Sequence, residues 1–137
     1  MVSRMTIVSA ETIPVQTEPD VVGVRRRVRE VSARLGFSLV DQTKVVTAAS
    51  ELARNTIIHG GGGVMQIETL NGPRTGLRLI FEDKGPGIPD IDLALRDGFT
   101  TGSGLGLGLG GAKRLVSEFE IRSRVGEGTT IVATRWK

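Results

Sequence analysis

Four stretches of the chain carry residue types whose spacing suits chemistry. The first is Gly102-Ser103-Gly104-Leu105-Gly106-Leu107-Gly108-Leu109-Gly110-Gly111, which holds six of the 19 glycines. A glycine in a helix costs about 1 kcal/mol relative to alanine, so a regular element would not select this run. A backbone that passes close to an anion and turns its N–H groups toward it would. Ala112-Lys113-Arg114-Leu115-Val116 follows and reads as a helix. A glycine loop that feeds a helix N-terminus suits the phosphates of a nucleotide.

The other three stretches are shorter. Glu51 and Asn55 are four residues apart, so on a helix they stand one above the other. Asp83-Lys84-Gly85-Pro86-Gly87-Ile88-Pro89 cannot be regular structure beyond its first residue. Gly126-Glu127-Gly128-Thr129 is a turn that leads into the last β-branched run.

Elements must position these groups. Met5 to Val15 is β-branched and reads as one or two strands, with Pro14 marking an edge. Thr17-Glu18-Pro19-Asp20 opens a helix with a capping residue, early acids and an early proline. Val21, Val24, Val28, Val31 and Leu35 form its buried stripe, and Gly36 ends it. Arg25, Arg26, Arg27, Arg29 and Arg34 lie off that stripe, as a solvated face or as a docking surface for an acidic protein. Ser38 and Asp41 resemble a capping box for a second helix that runs to His59 and stops at Gly60-Gly61-Gly62-Gly63. Val45, Val46, Ala49, Leu52, Ala53 and Ile57 form its apolar face. His59, at the helix end, suits a site where partial positive charge is welcome.

Val64 to Leu70 and Gly76 to Asp83 read as a hairpin about Asn71-Gly72-Pro73. Period two places Leu77, Leu79, Phe81 and Asp83 on one face. Asp83 therefore points inward, and an inward carboxylate needs a partner. Asp90 caps a short helix over 91–95, another helix follows at 112–117, and 119–123 and 129–136 are strands. Early helices and late strands predict an α+β fold, with helices on one face of a mixed sheet.

Composition narrows the function. The chain has 137 residues, 39% of them hydrophobic, which suits a single domain over 1–137. The absence of cysteine excludes disulfides, thiolate metal sites and a thiol nucleophile. No apolar run approaches the roughly 18 residues of a membrane span, and no signal segment is evident, so a cytoplasmic protein is expected. Net charge +3 favours acidic partners. Aromatic residues make up only 4%, which leaves few stacking platforms for nucleic acid.

Taken together, the four stretches resemble the N, G1, G2 and G3 boxes of the GHKL superfamily of ATP-binding proteins. Ser50-Glu51-Leu52-Ala53-Arg54-Asn55, Asp83 to Asp90, Asp97-Gly98-Phe99-Thr100-Thr101, Gly104-Leu105-Gly106 and Lys113-Arg114-Leu115 resemble the RsbT-type switch kinases most closely. The resemblance runs through nearly all of the chain after about residue 20. It implies a two-layer α/β sandwich of the Bergerat ATP-binding type, with ATP and Mg²⁺ as cofactors. It also implies that Glu51 is the general base and that Asn55 is a ligand of Mg²⁺. Asp83 would accept a hydrogen bond from the adenine amino group, with Thr129 nearby and Gly85 and Gly87 letting the backbone pass under the base and ribose. Gly102, Gly104, Leu105, Gly106, Leu107 and Gly108 would hold the phosphates, inside a lid running from about Arg96 to Gly111.

The implied activity is that of a serine/threonine kinase in a bacterial partner-switching system, acting on a STAS-domain antagonist protein. A PP2C-type phosphatase or a sigma factor would be the further partner. The alternative is an ATP-dependent anti-sigma module that sequesters a partner without significant phosphotransfer. Plainer roles exist for single residues. Glu51 could pair on the surface with Arg54 or Lys44, Asp83 could be satisfied by nearby backbone, and Thr129 could be an ordinary strand residue.

Overall fold

The computed structural model describes residues 5–96 and 109–137. One strand, β1 (Thr6–Val15), precedes two long helices, α1 (Glu18–Arg34) and α2 (Leu39–Ile58). A hairpin of β2 (Gly63–Asn71) and β3 (Gly76–Asp83) follows. Then come two short helices, α3 (Ile91–Ala94) and α4 (Leu109–Arg114), and a second hairpin, β4 (Glu118–Arg124) with β5 (Gly128–Trp136).

Local chemistry accounts for the boundaries. Thr17 caps α1, and Asp20 returns its carboxylate to the backbone N–H groups of Gln16 and Thr17 at 2.9 and 3.1 Å. Those two bonds hold the Asp20 carboxyl below its usual range. Ser38 Oγ accepts from Asp41 N at 3.1 Å to start α2. The Asp41 carboxylate goes to Arg135 at 2.7 Å, and the other arm of Arg135 donates to the Leu115 carbonyl. One guanidinium thus ties the start of α2 to β5 and to the end of α4. Asp90 caps α3 through Leu93 N.

The α+β class and the two-layer arrangement are as the sequence predicts. Val21, Val24 and Val28 of α1 and Val45, Leu52 and Ala53 of α2 meet Leu77, Leu79 and Phe81 of β3 in one core. Burying each large apolar side chain of this set contributes about 1.5–3 kcal/mol. Leu35 is only partly buried. Two expectations change. The sheet, in the order β1-β2-β3-β5-β4, is antiparallel at every pairing and not mixed. β3 and β4 do run the same way, but β5 inserts between them, so no parallel pair forms among the described strands. In addition, the described part of α4 already includes Leu109, ahead of Ala112, and both side chains are buried in the core.

Candidate nucleotide site

Of the groups singled out in the sequence, Asn55, Asp83, Gly87 and Thr129 come together at one end of the sheet. Asn55 lies on the inner side of α2 and is buried, and its Oδ1 has no hydrogen-bond partner. A buried polar oxygen left unpaired costs about 1–3 kcal/mol, so a partner at this atom would be stabilising. Glu51 stands one helical turn earlier, with its side chain 42% exposed, 3.6 Å from Arg54. Arg54 also reaches Glu18 at the start of α1, at 4.0 Å.

Asp83 ends β3, opposite Gly63 of β2 and Thr129 of β5. Its Oδ1 accepts from Gly85 N at 2.9 Å. Both plainer roles are therefore present: Asp83 has a backbone partner and Glu51 has a surface cation. Neither uses up the group, since each carboxylate keeps further lone pairs. Thr129 is buried and shares a 2.9 Å hydrogen bond with Ser123.

Asn55, His59, Gly60, Asp83, Gly87, Ile88 and Thr129 line a recess of about 20 Å³. That is room for roughly one water molecule. Gly87 sits at φ +80, and a Cβ there would strike the Arg124 carbonyl. The loop it belongs to is fastened to the β4–β5 turn by Gly126 N on the Pro86 carbonyl at 2.8 Å. A second tie is Ile88 N on Ser123 Oγ at 2.7 Å. Gly85 packs against the Gly60 backbone, where a Cβ would lie 2.6 Å from the Gly60 carbonyl oxygen. Gly102, Gly104, Leu105, Gly106, Leu107 and Gly108 lie outside the described residues.

Comparison with known proteins fits this geometry. Residues 40–136 match the family described as histidine kinase-, DNA gyrase B- and HSP90-like ATPase. The chain belongs to this ATPase family. Within it, the serine/threonine-protein kinase RsbT of Bacillus subtilis is 48% identical over 90% of this chain and 94% of its own. The anti-sigma F factor of Thermoanaerobacter sp. is 31% identical over 82% of each chain. The crystal structure of the RsbU and RsbW domains of a Mycobacterium tuberculosis protein superposes with a TM-score of 0.64 at 24% identity. That match covers 94% of this chain and 33% of the other, and it shows the shared fold. The chain is therefore an ATP-binding serine/threonine-kinase domain of the partner-switching group, as its boxes imply.

The unpaired Asn55 Oδ1 is a neutral oxygen of the kind that suits a hard cation. Among the described residues, no group of three or more His, Asp or Glu could hold a metal by itself. A Mg²⁺ at Asn55 would take its remaining ligands from phosphate and water, as that ion commonly does.

Sequence reading missed two contributors. Gly60 reads only as a helix stop, yet a Cβ there would overlap the Asp83 carboxylate. His59 does cap α2, but burial holds its pKa below 6.5, and its Nε2 is buried without a partner. The desolvated ring disfavours the charge that a helix end would welcome. The four-residue step from Asn55 to His59 was the available signal, since it repeats the step from Glu51 to Asn55.

Proposed function

We propose that this domain transfers the γ-phosphate of ATP to a serine or threonine hydroxyl of a STAS-domain antagonist protein. The observation that carries this reading is the pairing of Asn55 with Glu51. Asn55 presents a buried, unpartnered oxygen, and Glu51, one turn away on the same helix, presents a half-exposed carboxylate. A module that only bound ATP would have no use for the second.

The proposed roles follow. Asp83 receives the adenine amino group, with Thr129 beside it, and Gly85 and Gly87 let the backbone pass under the base and ribose. Asn55 holds Mg²⁺, which would supply charge neutralisation at the phosphates. Gly102, Gly104, Leu105, Gly106, Leu107 and Gly108 offer N–H groups to those phosphates. Glu51 orients the incoming hydroxyl and accepts its proton as the oxygen attacks, the usual task of a base in phosphoryl transfer. Residues 1–137 act as one kinase domain, with a PP2C-type phosphatase or a sigma factor as further partner. Among the described residues no helix is long and apolar enough to cross a membrane, and the cytoplasm is the proposed location.

The test mixes the protein with Mg-ATP and STAS-domain proteins and follows labelled phosphate. Transfer that is lost in Glu51→Ala, while ATP still binds, supports the reading. No transfer to any STAS protein by ATP-saturated wild type sinks it. The second reading, an ATP-dependent module that holds a partner without transfer, draws on the Glu51–Arg54 pair, which engages the carboxylate. It expects partner capture to survive Glu51→Ala unchanged.

A further inference from the structure

Ser123, half-buried on the edge strand β4, is joined to two parts of the nucleotide site. Its Oγ accepts from Ile88 N at 2.7 Å, lies 2.9 Å from Thr129 Oγ1, and stands 3.2 Å from the Gly128 carbonyl oxygen. A serine hydroxyl has one proton and two lone pairs. Ile88 N–H takes one lone pair, which leaves the proton and the other lone pair for Thr129 and Gly128. Thr129 Oγ1 lies within the usual O–H···O range of about 2.5–3.0 Å, while the Gly128 oxygen lies beyond it. Thr129 in turn faces Asp83 directly across the β3–β5 pairing, and both line the same recess. A base that gives its amino N–H to Asp83 therefore turns the neighbouring ring nitrogen toward Thr129. In adenine that nitrogen is N1, an acceptor. Thr129 must then donate, directly or through one water, for which the recess has room.

We propose that Ser123 is a positioning residue for base recognition: it donates to Thr129 Oγ1 and so turns the Thr129 proton toward N1 of the adenine. The two hydroxyls have only two protons between them. If Thr129 donates to Ser123, Thr129 has no proton left for the base. If Ser123 donates to Thr129, the Thr129 proton is released to the base, and each bond of the chain strengthens the next. Ser123 acts only through Thr129, and its role rests on Asp83 and Thr129 receiving the base as proposed above. A plainer role for Ser123 is to staple the loop at Ile88 to the β4–β5 hairpin. Gly126 N on the Pro86 carbonyl, at 2.8 Å, makes the same connection without the serine hydroxyl.

The test is calorimetry with Mg-ATP and with Mg-1-deaza-ATP, in which C–H replaces N1 and the amino group stays. Ser123→Ala should weaken ATP binding about fivefold or more, the worth of one hydrogen bond. The same variant should change 1-deaza-ATP affinity by less than about twofold, because that base has no acceptor to lose. Ser123→Thr keeps the hydroxyl and should bind ATP within about twofold of wild type. Adding Ser123→Ala to Thr129→Val should weaken ATP no further than Thr129→Val alone, since the two residues act as one chain. Equal weakening of both nucleotides by Ser123→Ala overturns the proposal and leaves the loop staple. Wild-type ATP affinity in Ser123→Ala overturns it as well. Asp83→Asn tells these failures from a wrong placement of the base, because both nucleotides carry the amino group. If Asp83→Asn weakens both nucleotides while Ser123→Ala changes neither, only the role of Ser123 falls. If Asp83→Asn binds both as wild type does, the base lies elsewhere and both readings fall.

Discussion

Gly60 and Asp83 are in contact in a way that leaves no room for a side chain at residue 60. A Cβ on Gly60 would overlap the Asp83 carboxyl group, and Gly85 packs directly against the Gly60 backbone. The end of α2, the end of β3 and the loop after it therefore meet through glycine, and the aspartate is held where they meet. Gly60→Ala should push the carboxylate out of place and lower ATP affinity by about tenfold or more, since a misplaced hydrogen-bonding group loses most of its contribution. Calorimetry with ATP reads the affinity, and circular dichroism checks that the fold persists. Wild-type affinity in this variant would show that the contact is only packing.

Asn55→Ala separates binding from stability. The Oδ1 atom is buried and unpaired, so its removal relieves a desolvation penalty of about 1–3 kcal/mol while it opens a small cavity. The two effects oppose each other, and the melting temperature should hold or rise. Mg-ATP affinity should drop clearly. A strongly destabilised Asn55→Ala protein would mean that the side chain has a structural partner in solution.

His59 is the single histidine of the chain, which makes its titration readable by NMR without assignment. Burial lowers its pKa below 6.5. The folded protein therefore prefers the neutral ring, and the unfolded chain takes up the proton first. Stability from this group is fully present above pH 6.5 and declines as pH falls below it, through the folded-state pKa. The midpoint of the imidazole shift should lie below 6.5, and His59→Phe should flatten the loss of melting temperature in that window. A midpoint above 6.5 would contradict the buried placement.

Gly23 lies inside α1 with open space where a Cβ would stand. Gly23→Ala should stabilise the protein by about 1 kcal/mol through helix propensity. Urea unfolding measures this, and a loss of stability would mean that the outer side of α1 packs against something at residue 23.

Much of the architecture was legible because it is written in short-range chemistry. Thr17-Glu18-Pro19-Asp20 announces α1, and the valines at 21, 24, 28 and 31 declare its inner face before any partner is known. Alternation along 77–83 turns Asp83 inward for the same reason, since a strand's period of two is local geometry. The order of the four boxes was legible too, and with it the family. The β2–β3 hairpin was legible from its turn, but the pairing of strands distant in sequence was not. Nothing within Glu118–Arg124 says that β5 comes between it and β3, because pairing partners distant in sequence are chosen by the packing of the whole sheet. The same limit held at the site. That Gly60 makes room for Asp83, that Ser123 holds both Thr129 and the loop at Ile88, and that burial lowers the His59 pKa depend on segments brought together only by folding. The sequence by itself determined which residues could carry the chemistry. The tertiary structure decided which of their polar atoms remain unpaired, because burial and hydrogen-bond satisfaction are properties of the assembled neighbourhood.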